Sequence, residues 1–78
     1  MRQSLSYFIT GGYGLIGSSL VNQIKGRVTI LARSEKYKKR VKRNDITVLL
    51  KDLRKVEKKD VEDVDVVYHC ASTVDNYN

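Results

Sequence analysis

The sequence predicts an α/β fold: a Rossmann-like open parallel sheet, its first half, with about four strands joined by crossover helices. Three observations predict it. Four short apolar runs alternate with segments of polar or helical character. The runs are nearly continuous in apolar residues, as in strands covered on both faces. A β-α-β-α-β-α-β order of this kind builds parallel neighbours through crossover connections.

The elements follow in order. Leu5-Ser6-Tyr7-Phe8-Ile9-Thr10 is short, apolar and rich in aromatic and β-branched residues, and reads as a buried strand. Glycines follow at 11, 12, 14 and 17, and Leu15, Ile16, Ser19, Leu20 and Ile24 then recur at helical spacing, with Gly26 as a stop signal. Val28-Thr29-Ile30-Leu31-Ala32 is the second strand. Glu35 to Arg43 is polar and reads as a helix with weak apolar periodicity. Ile46-Thr47-Val48-Leu49-Leu50 is the third strand, Leu53 to Asp60 a short polar helix or turn, and Val64 to Ala71 the fourth strand. Residues 1–78 are expected to form a single, incomplete Rossmann-type domain.

Composition excludes several classes. The hydrophobic fraction of 41% argues against a disordered chain. The longest uncharged stretch, Gln3 to Ile24, holds four glycines and several polar residues, so no membrane span is expected. One cysteine, Cys70, can form no internal disulfide and builds no zinc site, which points to a reducing, cytoplasmic compartment and to no metal. The net charge of +6 is concentrated. Arg33, Lys36, Lys38, Lys39, Arg40, Lys42 and Arg43 stand against Glu35 alone, and the rest of the chain is neutral overall.

The segment Thr10-Gly11-Gly12-Tyr13-Gly14-Leu15-Ile16-Gly17 carries most of the functional content. Gly12, Gly14 and Gly17 satisfy G-x-G-x-x-G, and Gly11, Gly14 and Gly17 satisfy G-x-x-G-x-x-G. The context is the required one, with a strand before, a helix after and a second strand near residue 27. Glycines there permit a tight turn, close approach of the backbone to a pyrophosphate, and contact between helix and strand. The first-turn N–H groups and the positive end of the helix dipole then face the phosphates. The alternative reading is a tight strand-to-helix turn with no ligand. About 20 residues further on, where NAD-preferring sites carry an acid, the chain has Ala32, Arg33 and Ser34. Arg33 offers a planar cation suited to a 2′-phosphate, with Ser34 beside it, so NADP(H) is expected over NAD(H). Against this, Arg33 could simply begin a solvated basic helix.

These motifs resemble the short-chain dehydrogenase/reductase superfamily, in particular its extended and atypical members. Those include the epimerases and dehydratases and the thioester or acyl-CoA reductases. Lys51-Asp52-Leu53 stands where that family has Gly-Asp-Leu or Gly-Asp-Val, and Val66-Val67-Tyr68-His69-Cys70-Ala71-Ser72 resembles its His-x-Ala-Ala. The resemblance implies that Asp52 accepts a hydrogen bond from the adenine amino group while Leu53 packs on the ring. Read by itself, Asp52 serves equally well as a helix N-cap. Ala71 and Ser72 would let the cofactor ribose pass. His69 reads as a strand-end residue without a catalytic role, and Cys70 as a small core residue.

The resemblance also implies catalysis by a Tyr-x-x-x-Lys pair, and none occurs in the 78 residues. No catalytic residue is therefore assigned. The chain reads as the NADP(H)-binding first part of a reductase, epimerase or dehydratase, inactive alone and partnered by a missing C-terminal half or a second chain. The alternative is a non-catalytic dinucleotide-binding or interaction module. Nucleic-acid binding through the basic run is the weakest reading, because only Tyr37 interleaves the charges and no binding motif surrounds them.

Overall fold

A computed structural model describes residues 4–70. Four parallel strands form one sheet in the order β3-β2-β1-β4: β1 Ser6–Thr10, β2 Arg27–Ala32, β3 Ile46–Leu50 and β4 Val66–His69. The register sets Ile9 between Ile30 and Tyr68, and Ile30 beside Val48. The chain thus runs outward through β2 to β3 and then crosses to the far side of β1. That reversal is the topological switch point at which ligands of open α/β sheets collect. The predicted Rossmann-like α/β fold is what the chain forms.

One helix, α1 (Leu15–Gln23), covers the sheet face that carries Ile9, Val28, Ile30 and Ala32. Val21 and Tyr13 close that core, with Leu20, Ile24, Val41, Ile46 and Val48 packed around it. Ile9, Ile30 and Val21 are wholly buried, each contributing about 1.5–3 kcal/mol by leaving water. Phe8 and Leu31 are buried on the opposite face. The helical spacing of the sequence holds for Leu20 and Ile24, which pack against the core, but not for the first turn of α1. Leu15 and Ile16 stand about three-quarters exposed, while Gly17, Ser18 and Val21 are buried. The close approach of Gly17 to the β1 turn leaves the apolar residues of the first turn outside.

The polar segment after β2 departs from expectation. In place of a helix over Glu35 to Arg43 there is one 3₁₀ turn, Lys38–Arg40. Without an apolar stripe to bury, a short cationic segment cannot offset the cost of helix nucleation. It is held instead by side chains. Asn22 of α1 donates to the Arg40 carbonyl (2.9 Å) and accepts from the Lys42 N–H (2.8 Å). Arg43 donates to the carbonyls of Val21 (3.2 Å), Ile24 (2.8 Å) and Gly26 (2.8 Å), closing the carboxyl end of α1. Arg40 and Arg43 are therefore structural ties and not part of a solvated face.

Between β3 and β4 the chain makes a 3₁₀ turn, Leu53–Lys55, and a single helical turn, α2 (Lys58–Val61). Asp60 anchors this stretch by accepting from the Glu57 N–H (2.8 Å) and from Lys51 Nζ (3.0 Å). At the amino ends of the strands, Asp65 accepts from the Ser6 N–H (2.7 Å) and locks the start of β4 to β1. No helix among the described residues is long and apolar enough to cross a membrane.

Candidate functional site: the glycine-rich rim

Because all four strands are parallel, their carboxyl ends lie on one rim. Thr10 to Gly17 leave β1, Arg33 and Ser34 leave β2, and Asp52 and Leu53 follow β3. Three backbone bonds carry the ladder past the strand ends: Gly11 N–H to Leu31 O (2.9 Å), Lys51 N–H to Ala32 O (3.0 Å) and Cys70 N–H to Thr10 O (3.1 Å). Thr10 Oγ1 and His69 Nδ1 share a hydrogen bond of 2.8 Å that ties the ends of β1 and β4. Ala71 and Ser72 lie outside the described residues.

The turn is built on glycine for two distinct reasons. Gly11 has φ 67°, a left-handed conformation that L side chains rarely adopt. Gly17 makes the closest approach. A β-carbon there would overlap the Gly11 carbonyl oxygen and lie 2.9 Å from its carbon and 3.0 Å from Gly12 Cα, all backbone atoms that cannot swing aside. Gly14 N–H donates to Gly11 O (2.9 Å), and the first bond of α1 runs from Ser18 N–H to Gly14 O (2.9 Å). The N–H groups of Leu15, Ile16 and Gly17 thus precede the helical ladder, where no intrahelical carbonyl reaches them. Gly14 caps the helix with no side-chain bond, and no acid occupies the first turn. The positive end of a nine-residue helix therefore faces the rim with no acid in its own first turn. This cradle, which side chains would fill, fits the pyrophosphate of a dinucleotide.

Arg33 follows β2 directly and is exposed. Arg33 and Asp52 follow the neighbouring parallel strands β2 and β3 and so lie at the same end of the sheet. Ser34 Oγ accepts from the Lys36 N–H (3.3 Å), closing a small turn directly after Arg33. Asp52 is the N-cap of the 3₁₀ turn: Oδ1 accepts from the Arg54 N–H (2.8 Å), and the Arg54 guanidinium bonds both carboxylate oxygens at 3.1 Å. That pairing and the backbone bond hold the Asp52 pKa down to about 2. Leu53 beside it is about half exposed. Cys70 packs against the core, and burial raises its thiol pKa, which suits a packing role.

Sequence reasoning missed Arg40, Arg43 and Asn22. All three were visible, the arginines as part of a charge cluster and Asn22 as a poor helix former near the end of a helix. Their partners are backbone atoms, which no residue pattern reveals. Tyr37, the one aromatic in the basic run, is engaged within the chain: the Arg40 guanidinium carbon lies 4.1 Å and Lys36 Nζ 5.3 Å from its ring centre.

Comparison with known proteins gives one result. The NAD dependent epimerase/dehydratase family matches residues 7–78, from the second residue of β1 onward. No curated protein and no solved structure matched. The family match spans nearly all of the sequence and includes the glycine turn, the parallel sheet and the strand-end residues. The chain belongs to the NAD dependent epimerase/dehydratase family, whose members bind NAD(P).

Proposed function

We propose that this chain, as a single Rossmann-type domain over residues 1–78, binds NADP(H) in preference to NAD(H). The glycine turn from Thr10 to Gly17 would take the pyrophosphate. Arg33 and Ser34 would take the adenosine 2′-phosphate, and Leu53 the adenine face. Asp52 would remain available to the adenine amino group through whichever lone pairs Arg54 leaves, and Ala71 and Ser72 would flank the ribose. The observation that carries this reading is Arg33 on the glycine rim, at the end of β2, with no carboxylate in the strand-end position that would bond a free 2′-hydroxyl. The fork of an arginine suits a phosphate dianion and has no comparable partner in an unphosphorylated ribose.

When bound, the nicotinamide supplies hydride chemistry. Residues 1–78 hold no Tyr-x-x-x-Lys pair to polarise a substrate oxygen, so the activity proposed for these residues is dinucleotide binding. A reducing, cytoplasmic setting accords with the lone Cys70.

The test is a pair of titrations, NADPH and NADH, with the native chain and with Arg33→Ser. The native chain should bind NADPH at least about tenfold more tightly, and Arg33→Ser should abolish that preference while leaving NADH affinity nearly unchanged. NADH binding as tight as NADPH binding in the native chain would overturn the cofactor choice.

A further inference from the structure

We infer that Arg40 is a positioning residue for the dinucleotide, one that fastens the glycine-rich turn to the basic segment after β2 and so holds the two phosphate-binding segments as one unit. This rests on the NADP(H) reading above. Arg40 NH1 donates to the carbonyl of Tyr13 at 3.1 Å. Tyr13 stands between Gly12 and Gly14, in the middle of the turn, and its side chain is buried in the core. The next N–H, that of Gly14, donates to Gly11 O at 2.9 Å. The Tyr13–Gly14 peptide is therefore bonded at both ends, its oxygen by a cation and its nitrogen by the turn itself. That fixes the plane of the peptide leading directly into the first turn of α1.

The other end of the tie is equally fixed. The Arg40 guanidinium lies over the Tyr37 ring, 4.1 Å from its centre. Its backbone carbonyl is held by Asn22 Nδ2 at 2.9 Å, and Asn22 Oδ1 holds the Lys42 N–H at 2.8 Å. Arg40 thus runs from a clamp on α1, across an aromatic ring, to the oxygen of the phosphate-binding turn.

The physical need for such a tie comes from the turn's composition. Gly11, Gly12 and Gly14 contribute no side chain to hold their own backbone, and a loop that must be ordered by its ligand loses affinity in doing so. A charge-assisted bond to the central carbonyl supplies that order beforehand and, in a connected chain of bonds, strengthens the Gly14 bond beyond it. Lysine would keep the charge but lacks the planar fork that stacks on Tyr37 while reaching Tyr13.

Because Arg40 acts on the pyrophosphate turn, its loss should weaken both cofactors alike. In titrations of the full chain, Arg40→Ala and Arg40→Lys should each raise the dissociation constants of NADPH and of NADH by about the same factor, roughly tenfold. Arg33→Ser should affect NADPH alone. Amide hydrogen exchange without cofactor gives a second readout: the Gly14 N–H should exchange severalfold faster in Arg40→Lys, while the amides of Ile9 and Ile30 keep their protection. Tyr37→Leu, which removes only the ring, should show the same pattern at smaller amplitude. A loss confined to NADPH would make Arg40 a reader of the 2′-phosphate. Full affinity in Arg40→Lys would reduce its role to charge. Unchanged Gly14 exchange would remove the tie itself. Any of these overturns the inference and leaves the NADP(H) reading standing. Failure of the native chain to bind either dinucleotide, with Gly14 exchange still accelerated, would overturn that reading and the cofactor role with it.

Discussion

Every buried hydrophobic residue among those described lies between Phe8 and Ala32, in the unit β1-α1-β2, whereas from Arg33 to Cys70 none reaches that degree of burial. The first region is held by interlocked side chains and by glycines that let backbones touch. The second adds the half-buried Val41, Ile46 and Val48 and the ladders of β3 and β4, and is fastened by polar bonds: Asn22 to the Arg40–Lys42 backbone, Arg43 to three carbonyls, Lys51 to Asp60, and Arg54 to Asp52. The difference assigns distinct tasks. Close packing fixes the shape of the glycine-rich turn, where a shift of a few tenths of an ångström matters. Side-chain bonds fasten the segments that follow β2 and β3 without building a second core.

The contrast can be broken at its strongest point by Gly17→Ala. The new β-carbon meets only backbone of Gly11 and Gly12, so the turn must open or α1 must move. The expected cost is about 3 kcal/mol or more, with loss of dinucleotide binding. Urea unfolding with a matched cofactor titration measures both, and a near-neutral result would mean that the turn is far softer than its contacts require.

In the polar region the largest effect should come from Arg43→Ala. It strips three carbonyls at the end of α1 of a largely buried charged donor, and the expected loss is about 2–3 kcal/mol. The bond to Asp45 contributes little to that figure, since Asp45 is mostly exposed. Asp45→Ala should therefore change thermal stability far less than Arg43→Ala, and equal effects would mean the ion pair is the working contact.

A smaller effect should appear with pH. The Asp52 carboxyl is lowered from 3.8 to about 2, chiefly by the Arg54 side chain and then by the Arg54 N–H. A group depressed on folding stabilises fully above its unfolded value and loses that contribution as pH falls through its folded value. Stability should thus decline between about pH 4 and pH 2. Asp52→Asn, which retains a capping oxygen without the charge, should flatten that part of the profile. Superimposable acid-unfolding curves for the two proteins would show that the pair does no thermodynamic work.

The legible part of the molecule was the part governed by local pattern. The β1 run, the glycine spacing and the β2 run identify the βαβ unit because burial and turn sterics act on neighbours in sequence. Arg33 and Asp52 were also legible, since their distance from a strand end places them on the rim whatever the loops do. The segment 33–43 was not. Its conformation depends on Asn22 and on the carbonyls of α1, which lie some 20 residues away, and its charges look the same whether solvated or bound to backbone. The exposed Leu15 and Ile16 misled for a related reason. The helix face that packs carries Gly17 as well as Val21, Leu20 and Ile24, and the glycine contact leaves the apolar residues of the first turn outside.

The most direct test of the central claim is a titration of the ¹⁵N-labelled chain with NADPH, following the backbone amides. Saturable shifts should concentrate on Gly11 to Gly17 and on Arg33 and Ser34, while amides at the amino ends of the strands stay still. Shifts spread over Lys36 to Arg43 with the glycine amides unmoved would contradict a dinucleotide site on this rim.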